Sequence, residues 1–336
     1  MDMKDKVVVV TGASSGIGRA TAQAFAKRGA SLLLAARSDQ QLDIVEAECA
    51  EFGVRAIGVP TDVGDNDEVE ALAARAETEY GRFDVWVNNA GLLLLGRIDE
   101  APVEDFERVI QTNLLGTSYG SRVALKHFRQ RGQGTLINVS SIVSGLGQLY
   151  SSAYTASKWG VRGLSEALRM EVTDQPNIHV CTVMPSAIDT PIFQHAANYT
   201  GRDVQALPPV YPPEQVAEVI VHMVESPRAE VTVGDAGRLM QLTRSVLPQS
   251  VMTRLGAGAQ DHSLLGDKPE GPHSGNLYEP SGLTSAVRGG WQEQVPWGAT
   301  ADTVMRSAAV LLVALGLAYG ATAAVRGGWG SPGWRH

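Results

Sequence analysis

Tyr154 and Lys158 are the residues whose types and spacing first suggest chemistry. They lie four residues apart in the stretch SSAYTASKWG, Ser151 to Gly160. On a helix, side chains at positions i and i+4 lie on the same face, so the phenol and the ammonium can meet. A free tyrosine has a pKa of about 10 and is a poor base at neutral pH, whereas a nearby cation favours its phenolate. The pair is a candidate general acid–base, with an ordinary helix surface pair as the alternative.

A glycine-rich turn near the N-terminus indicates a second kind of chemistry, the binding of phosphate. The stretch TGASSGIG, with Gly12, Gly16 and Gly18, follows an apolar strand and leads into a predicted helix. Because glycine has no Cβ, this backbone can approach a pyrophosphate, to which the helix N-terminus presents unpaired N–H groups. The spacing is G-x-x-x-G-x-G and not the commoner G-x-G-x-x-G, but its position between strand and helix predicts a nucleotide site.

The end of the second predicted strand indicates which nucleotide binds. An acidic side chain there would bond the ribose 2′-hydroxyl of NAD(H) and repel a 2′-phosphate. This chain has Ala36 at that position and Arg37 next to it. Because a guanidinium makes charge-assisted and often bidentate bonds to phosphate, the pattern favours NADP(H) over NAD(H). Asp39 lies close by in the sequence and weakens this inference, and a solvated Arg37 is the alternative.

Short apolar runs and longer amphipathic segments alternate from Lys6 to about Asp235, and they are the elements that must position these residues. The strand candidates are KVVVVT, SLLLAA, VRAIGV, FDVWVN, GTLINV, IHVCTVM and AEVTVG. The helix candidates are 17–28, 40–52, 66–80, 103–130 and 153–173. Near-continuous apolar strands are typical of a parallel sheet covered on both faces. The sequence therefore predicts an α/β fold with a doubly wound, Rossmann-type parallel sheet.

Length, charge and cysteine usage exclude several other classes. The chain has 336 residues, enough for one large α/β domain with an appendage. Its formal net charge of −8 and its lack of clustered lysine and arginine argue against nucleic acid as a partner. Cys49 and Cys181 have no metal-ligand spacing with the histidines, so no metal site is predicted. The N-terminus lacks the apolar core of a secretory signal, and we expect a cytoplasmic catalytic domain.

The composition changes after the predicted catalytic domain, which is assigned to residues 1–256. Glycine, proline, serine and charge dominate the next stretch, and this predicts a flexible linker over residues 257–302. Residues 303–336 are assigned to an apolar helix and tail. The run from Ser307 to Val325 is uncharged and lies at the lower edge of the length that spans a bilayer. It predicts a membrane anchor, with a helix that packs on protein as the alternative.

Several motifs occur in the order that is typical of one enzyme family. They are TGASSGIG at 11–18, NNAG at 88–91, Asn113 in QTNLLG, NVSS at 138–141 and YTASK at 154–158. Together they resemble the short-chain dehydrogenases/reductases over the stretch from Lys6 to about Asp235. The linker and the apolar tail lie outside this common core. They resemble, less specifically, a longer and membrane-associated subset of bacterial members.

The resemblance implies a role for each motif residue. Tyr154 would donate or accept the proton, Lys158 would be its partner and bind the cofactor ribose, and Ser141 would polarise the substrate carbonyl. Asn113 would hold a water that relays protons. The implied cofactor-binding residues are Gly12, Ser14, Ser15, Gly16, Ile17, Gly18, Arg37, Asp62, Val63, Asn89, Ala90, Gly91, Tyr154, Lys158, Pro185 and Thr190. Asn88 and Gly91 match the positions that shape the floor beneath the cofactor.

One position departs from the family pattern. Where the family usually has Pro-Gly after the sixth strand, this chain has Pro185 and Ser186. Thr190 still falls at the position expected to hold the nicotinamide carboxamide. A side chain at position 186 could narrow the nicotinamide pocket or alter the local turn, so the geometry there is a question for the structure.

The segments expected around the substrate are apolar. They follow the NNAG motif, connect Ser141 to Tyr154, and form an insertion from Ile192 to Pro213. Their apolar and aromatic residues are Leu92 to Leu95, Leu146, Leu149, Phe193, Tyr199 and Tyr211. Such a set favours a lipophilic small-molecule substrate. The alternative is that the four leucines pack against the sheet and meet no ligand.

These patterns together predict an NADP(H)-dependent oxidoreductase that interconverts a secondary alcohol and a ketone. A membrane-tethered nucleotide-binding scaffold that acts through protein contacts is the alternative. The combination of serine, tyrosine, lysine and asparagine favours the enzyme, because a scaffold has no use for a tuned phenol. The family resemblance also implies a homo-oligomer that pairs through long helices, here the helix that carries Trp159 and closes at Met170 to Thr173.

Overall fold

The computed structural model describes residues 3–235, 260–261, 263–281 and 285–294 of the chain. Its strands are β1 (Val7–Thr11), β2 (Ser31–Ala36), β3 (Ala56–Pro60), β4 (Val85–Asn88), β5 (Leu94–Leu95), β6 (Gly134–Val139), β7 (Ile178–Pro185), β8 (Ala197–Asn198), β9 (Arg202–Val204), β10 (Glu230–Val233) and β11 (Leu265–Pro269). Its longer helices are α1 (Gly16–Ala26), α2 (Asp39–Ala50), α3 (Asn66–Tyr80), α4 (Val103–Ile110), α5 (Gly116–Arg131), α6 (Ser152–Glu171) and α7 (Pro213–Glu225). A π-helical turn, Gln111–Leu115, joins α4 to α5.

Seven of these strands form one parallel sheet in the order β10-β7-β6-β4-β1-β2-β3. The side chains of alternate β1 residues lie on opposite faces of the sheet, as the two-residue period of a strand requires. Val8 and Val10 pack in the layer with α1, α2 and α7. Val7 and Val9 pack in the layer with α3 and α5. Because both faces are covered, the strands are apolar almost throughout, and the predicted doubly wound, Rossmann-type α/β fold is confirmed.

The strand order reverses between β1 and β4, and this topology places the predicted site residues at one edge. In open α/β sheets, ligands bind outside the carboxyl ends of the strands at such a reversal. The residues within two positions after strand ends here include Gly12, Arg37, Asp62, Asn89, Ser141 and Ser186. The sheet therefore gathers residues that are more than 170 positions apart in the chain.

The structure also contains one helix and several short strands that sequence reasoning did not identify. The two-residue strands β5 and β8 pair with each other, and β9 pairs antiparallel with β11. Helix α7 packs against α1 and the edge of the sheet. The short strands carry too few residues for a periodic pattern, and they depend on partners that are distant in the sequence.

The C-terminal segment differs from the predicted flexible linker. Residues 263–281 and 285–294 are packed against the domain, and Leu264, Leu277 and Trp291 are buried there. The composition correctly indicates too few apolar residues for a separate core. A few apolar side chains are nevertheless enough to dock a segment on a core that already exists.

The predicted apolar helix over residues 303–336 lies outside the described residues, as does the end of the predicted catalytic domain from 236 to 256. Within the ranges that the structure describes, no helix has the length and apolar character that a bilayer span requires.

Asp84 connects the starts of the two central strands. It is 7 % exposed, and it accepts hydrogen bonds from the Val7 N–H at 2.9 Å and from Arg131 Nη1 at 3.0 Å. Burial alone would raise the pKa of its carboxyl group, but these bonds outweigh burial and hold the pKa below its usual value. The ionised carboxylate therefore stabilises the register of β1 and β4.

We expect Asp84→Asn to lower the free energy of unfolding at pH 7 by about 1–3 kcal/mol, the range for hydrogen bonds to charged groups. The carboxyl pKa is lower in the folded state, so this contribution is present above the unfolded pKa of about 3.9 and is lost as the pH falls through the folded pKa. Urea denaturation at pH 7 and pH 3 should show a smaller difference at pH 3. Glu70→Gln, which removes an exposed carboxylate paired with Arg122, is the control and should leave the midpoint unchanged.

Candidate active site

A cavity of about 640 Å³ runs along the carboxyl edge of the sheet. Ligand pockets in proteins commonly enclose about 300–1,000 Å³, so it is large enough for a bound small molecule. Its wall contains every residue that the sequence analysis assigned to catalysis or cofactor binding, apart from Gly18 and Asn113. The fold therefore brings the predicted nucleotide and acid–base residues to one place.

The glycine turn after β1 has the geometry of a phosphate cradle. Gly12 has φ +65°, and a Cβ there would lie 2.8 Å from Ala90 Cα. Gly18 does not face the cavity; a Cβ on it would lie 2.0 Å from Gly12 O, so this glycine allows the helix to pack on the turn. The N-cap residue of α1, Ser15, makes no side-chain capping bond. The turn without side chains at Gly12 and Gly16 and the helix N-terminus without a side-chain cap fit the pyrophosphate of a dinucleotide.

Two asparagine residues at the end of β4, Asn88 and Asn89, fix the opposite wall of this turn. The Asn89 N–H donates to Thr11 Oγ1 at 3.0 Å, and its side-chain amide donates to Thr11 O at 2.9 Å. Asn88 lies below the cavity wall, where its amide donates to Asn138 Oδ1 at 2.9 Å and to Ser121 Oγ at 3.2 Å. Asn88 thus supports the floor from beneath, and Asn89 lines the cavity.

Arg37 lies at the end of the cavity where the adenosine ribose is expected. Its Nη1 donates to Leu277 O at 3.0 Å and its Nη2 to Asn276 O at 2.6 Å, so it is not simply solvated. Burial lowers the pKa of the guanidinium, and Asp62 opposes that shift. Asp62 itself forms an ion pair with Arg108. Asp39 is exposed at the start of α2, away from the cavity.

Helix α6 and the end of β6 place the three acid–base candidates together. Lys158 Nζ lies 5.6 Å from the centroid of the Tyr154 ring, as expected for residues one helical turn apart. The ammonium donates to Val139 O, the last residue of β6, at 2.9 Å. Ser141 follows β6, and its Oγ accepts from the Val143 N–H at 3.3 Å. All three side chains border the same cavity.

The pKa values of the tyrosine and the lysine move in a direction that the sequence analysis did not expect. Burial raises the pKa of Tyr154 to about 12, and a hydrogen bond from Ser141 offsets only part of this shift. Burial lowers the pKa of Lys158 to about 8. Lys158 is not among the groups that shift the phenol pKa in this structure, where its ammonium donates to Val139 O. At neutral pH the phenol is thus protonated and is a proton donor.

Asn113 lies one layer behind the cavity wall, in the π-helical turn. Its amide nitrogen donates to Leu92 O at 2.9 Å and to Ser157 Oγ at 3.1 Å, and its Oδ1 accepts from the Leu92 N–H at 2.7 Å. Both N–H donors of the amide are therefore used by protein groups. The side chain fixes the segment after the NNAG motif, and its role in holding a relay water stays a prediction.

Ser186, the residue in place of the usual glycine, is accommodated by a second glycine. Gly234 has φ +101°, and a Cβ there would lie 2.6 Å from Ser186 Oγ and 2.7 Å from the Tyr211 ring. The hydroxyl is buried and has no hydrogen-bond partner among the residues that the structure describes. It is therefore directed towards the end of β10, where only glycine leaves room for it.

The substrate end of the cavity is apolar, but it uses only part of the predicted set. Leu92, Leu93, Leu146 and Phe193 line it. The other predicted residues, Leu94, Leu95, Leu149, Tyr199 and Tyr211, pack elsewhere. The wall also contains Leu207, Pro208 and Pro209 from the predicted insertion, and three residues that sequence reasoning missed, Gln260, Ser263 and Asn276. The last three come from the segment interpreted as a linker, in which isolated apolar residues such as Leu264, Leu277 and Trp291 are the signal that it docks.

Sequence comparison decides the family. The model of the short chain dehydrogenase family matches residues 6–199, which include the glycine turn, Ser141, Tyr154 and Lys158. The chain belongs to this family. The family, two oxidoreductase relatives and one solved alcohol dehydrogenase together show that this short chain dehydrogenase is an NAD(P)-dependent oxidoreductase.

The relatives include YxnA, an uncharacterized oxidoreductase of Bacillus subtilis, which is 36 % identical over 86 % of this chain and 83 % of that protein. The cis-4-hydroxycyclohexanecarboxylate dehydrogenase of Sinomonas cyclohexanicum is 37 % identical over 68 % of this chain and 93 % of that protein. An alcohol dehydrogenase from the archaeon Thermococcus sibiricus, solved by X-ray crystallography in complex with 5-hydroxy-NADP, is similar with a TM-score of 0.60 and 29 % identity. The similarity covers 68 % of this chain and 95 % of that chain.

Burial of Lys158 has a cost to stability that can be measured. Below about pH 8 the side chain is charged in both the folded and the unfolded states, and the folded state bears the cost of its burial. We expect Lys158→Met to raise the free energy of unfolding at pH 7 by about 1–3 kcal/mol, because one pKa unit corresponds to about 1.4 kcal/mol and the bond to Val139 is lost.

The lowered pKa of Lys158 also predicts how the stability of the parent changes with pH. Between about pH 8 and pH 10.5 the unfolded chain keeps the Lys158 proton that the folded protein has released, so the stability of the parent rises with pH. Guanidinium denaturation from pH 7 to pH 10 should therefore show the advantage of the variant shrinking. Lys126→Met, at an exposed position on α5, is the control and should follow the parent. A variant that is less stable than the parent at pH 7 would contradict the lowered pKa.

Proposed function

We propose that this dehydrogenase interconverts a secondary alcohol and a ketone, using NADP(H). The observation that carries the proposal is the convergence of Ser141, Tyr154 and Lys158 on a cavity that is continuous with the glycine turn and Arg37. The dinucleotide, when bound, supplies or accepts the hydride. The protein's own residues bind and orient the two reactants and move the proton.

Tyr154 is the proposed acid–base residue. With a pKa of about 12 the phenol is protonated at neutral pH, and it can donate a proton to the oxygen of a ketone. In the oxidative direction the phenolate must form, and the hydrogen bond from Ser141, which lowers the pKa of the phenol, favours it. Lys158, whose ammonium donates to Val139 O, is proposed to bind the cofactor ribose. Ser141 donates a hydrogen bond to the same substrate oxygen and stabilises the charge that develops on it.

Arg37 supports the preference for NADP(H). It follows β2 at the adenosine end of the cavity, and residue 36 is alanine and not an acid. Its guanidinium has more N–H donors than the two bonds to main-chain carbonyls use, so it can also bond a 2′-phosphate. The similar solved alcohol dehydrogenase is complexed with 5-hydroxy-NADP, which agrees with this proposal.

A lipophilic cyclic or aliphatic alcohol is the proposed substrate class. Leu93, Leu146, Phe193 and Leu207 border the cavity beside Tyr154, and apolar contacts of this kind favour an apolar body around one reacting oxygen. The relative from Sinomonas cyclohexanicum is named for an alcohol on a cyclohexane ring. Assays of alicyclic and aliphatic secondary alcohols and ketones, following the absorbance of the reduced nicotinamide, test this class.

Two further parts of the proposal rest on the sequence and the helix surface. The run at 307–325 is proposed as the anchor that holds a cytoplasmic catalytic domain at a membrane, and sedimentation of the full chain with membranes tests it. Trp159 and Met170 on α6 are 41 % and 66 % exposed, as a homo-oligomer that pairs through this helix requires. Light scattering tests the oligomer.

We expect Tyr154→Phe to lower turnover by a factor of at least about 100, the low end of what a positioned acid–base group contributes. The affinity for NADPH should change little, because only the hydroxyl is removed. Steady-state turnover and NADPH titration measure the two effects separately. Tyr150→Phe is the matched control: the Tyr150 hydroxyl bonds Asp261 at 2.7 Å, and its loss should leave turnover within about threefold of the parent.

Arg37→Ala should weaken NADPH binding by about 1–3 kcal/mol more than it weakens NADH binding, because only NADPH offers a 2′-phosphate to the guanidinium. Parallel fluorescence titrations with the two reduced cofactors give the ratio of dissociation constants. An equal loss for both cofactors, or tighter binding of NADH by the parent, would show that Arg37 does not recognise the phosphate.

A further inference from the structure

Two segments of the C-terminal part, residues 276–281 and 285–292, contact residues that line the cofactor cleft; we call them the strap. At the adenosine end, the carbonyls of Asn276 and Leu277 accept the two hydrogen bonds from Arg37. The Leu277 carbonyl also accepts from Arg108 Nε at 2.9 Å. This end of the strap therefore lies on the residues that border the expected ribose site.

The strap continues over the phosphate turn. The carbonyl of Ala286 accepts from the Gly16 N–H at 3.1 Å, and the Ser285 carbonyl accepts from Arg19 at the start of α1. The Ser281 carbonyl accepts from Gln41 Nε2 on α2 at 3.4 Å. Main-chain carbonyls of the strap thus meet the N-terminal parts of both helices that flank the turn.

The strap ends at the loop expected to hold the nicotinamide. The Asp189 carboxylate accepts from the Gly289 N–H at 3.1 Å and from the Trp291 N–H at 2.7 Å. The indole N–H of Trp291 donates to Thr190 O at 3.0 Å, and the ring is 8 % exposed. The strap therefore contacts the adenosine end, the phosphate turn and the nicotinamide loop in succession.

Anchors outside the cleft hold the strap in place. The Leu277 side chain is fully buried, in a cluster with Leu92 and Val109. The Tyr278 hydroxyl donates at 2.8 Å to Asp105, a carboxylate that is 4 % exposed and also accepts from Tyr199. Apart from Leu92, the groups that make these contacts do not line the cavity.

We propose that the strap is the outer wall of the cofactor site and retains the bound dinucleotide, which can leave only when the strap detaches. This inference rests on the proposed function. Asn276 lines the cavity itself, whereas residues 285–292 contact the phosphate turn and the Asp189–Thr190 loop, which contribute to its wall. The carbonyls of the strap hold the Arg37 guanidinium in one orientation, and the remaining N–H donors of that guanidinium can bond a ligand.

The test uses the full-length chain and measures NADPH binding directly, so no substrate is needed. Leu277→Ala removes the apolar anchor and should release the bonds to Arg37. We expect NADPH to dissociate at least about tenfold faster and to bind correspondingly more weakly, the effect of losing one or two charged hydrogen bonds. Stopped-flow displacement measures the rate, and fluorescence titration measures the affinity.

Two further variants separate retention from a general loss of stability. Leu125→Ala makes the same truncation on α5, in the core layer remote from the cleft, and should leave dissociation within about twofold of the parent. Tyr278→Phe removes only the hydroxyl that bonds Asp105, and should speed dissociation about threefold to tenfold with little effect on folding.

The outcomes distinguish this inference from the proposed function. A parent protein that binds neither NADPH nor NADH would overturn both. Tight binding by the parent, with dissociation unchanged in Leu277→Ala and Tyr278→Phe, would overturn retention alone. Tighter binding by Leu277→Ala would also overturn it, because it would show that the Ala286 carbonyl competes with phosphate for the Gly16 N–H.

Discussion

Burial of the central strands on both faces is the constraint on which the site depends. Val7 and Val9 pack under one helix layer, and Val8 and Val10 pack under the other. A sheet covered in this way leaves no face open to a ligand, so binding is confined to its ends. Because the strands are parallel, their carboxyl ends meet at one edge, and the order reverses between β1 and β4. The glycine turn, Arg37 and Ser141 therefore share one cavity.

The same burial sets the chemistry of the acid–base pair. Removal from water raises the pKa of Tyr154 and lowers that of Lys158, so each neutral form is favoured. Lys158 remains bonded to Val139 O, which fixes its ammonium beneath the tyrosine ring. Burial of the two groups lowers the stability of the fold, but it shifts their pKa values as catalytic acid–base groups require. The hydrogen bond from Ser141 lowers the pKa of the Tyr154 phenol and so opposes the effect of burial.

The C-terminal segment packs on the domain although its composition is that of a flexible linker. Its glycine, proline and charged residues cannot form a core of their own. Leu277 and Trp291 nevertheless reach buried positions, because the domain already provides apolar surface beside α4 and near Phe193. Most of its other contacts are made by main-chain carbonyls and N–H groups, which any sequence can supply. For this reason the side chains of the segment give little sign of where it binds.

The sequence by itself determined the sheet, the crossover helices and the motif residues, because strand period, glycine spacing and the Tyr154–Lys158 interval are local properties. Strand β6 and helix α3 agree with the predicted limits, residue for residue. Only the tertiary structure decided that the Asn113 side chain faces the Leu92 main chain and that Ser186 needs Gly234. It also decided that Arg37 is held by residues about 240 positions away in the chain. These outcomes depend on which groups meet in space, and no pattern within a short window encodes such contacts.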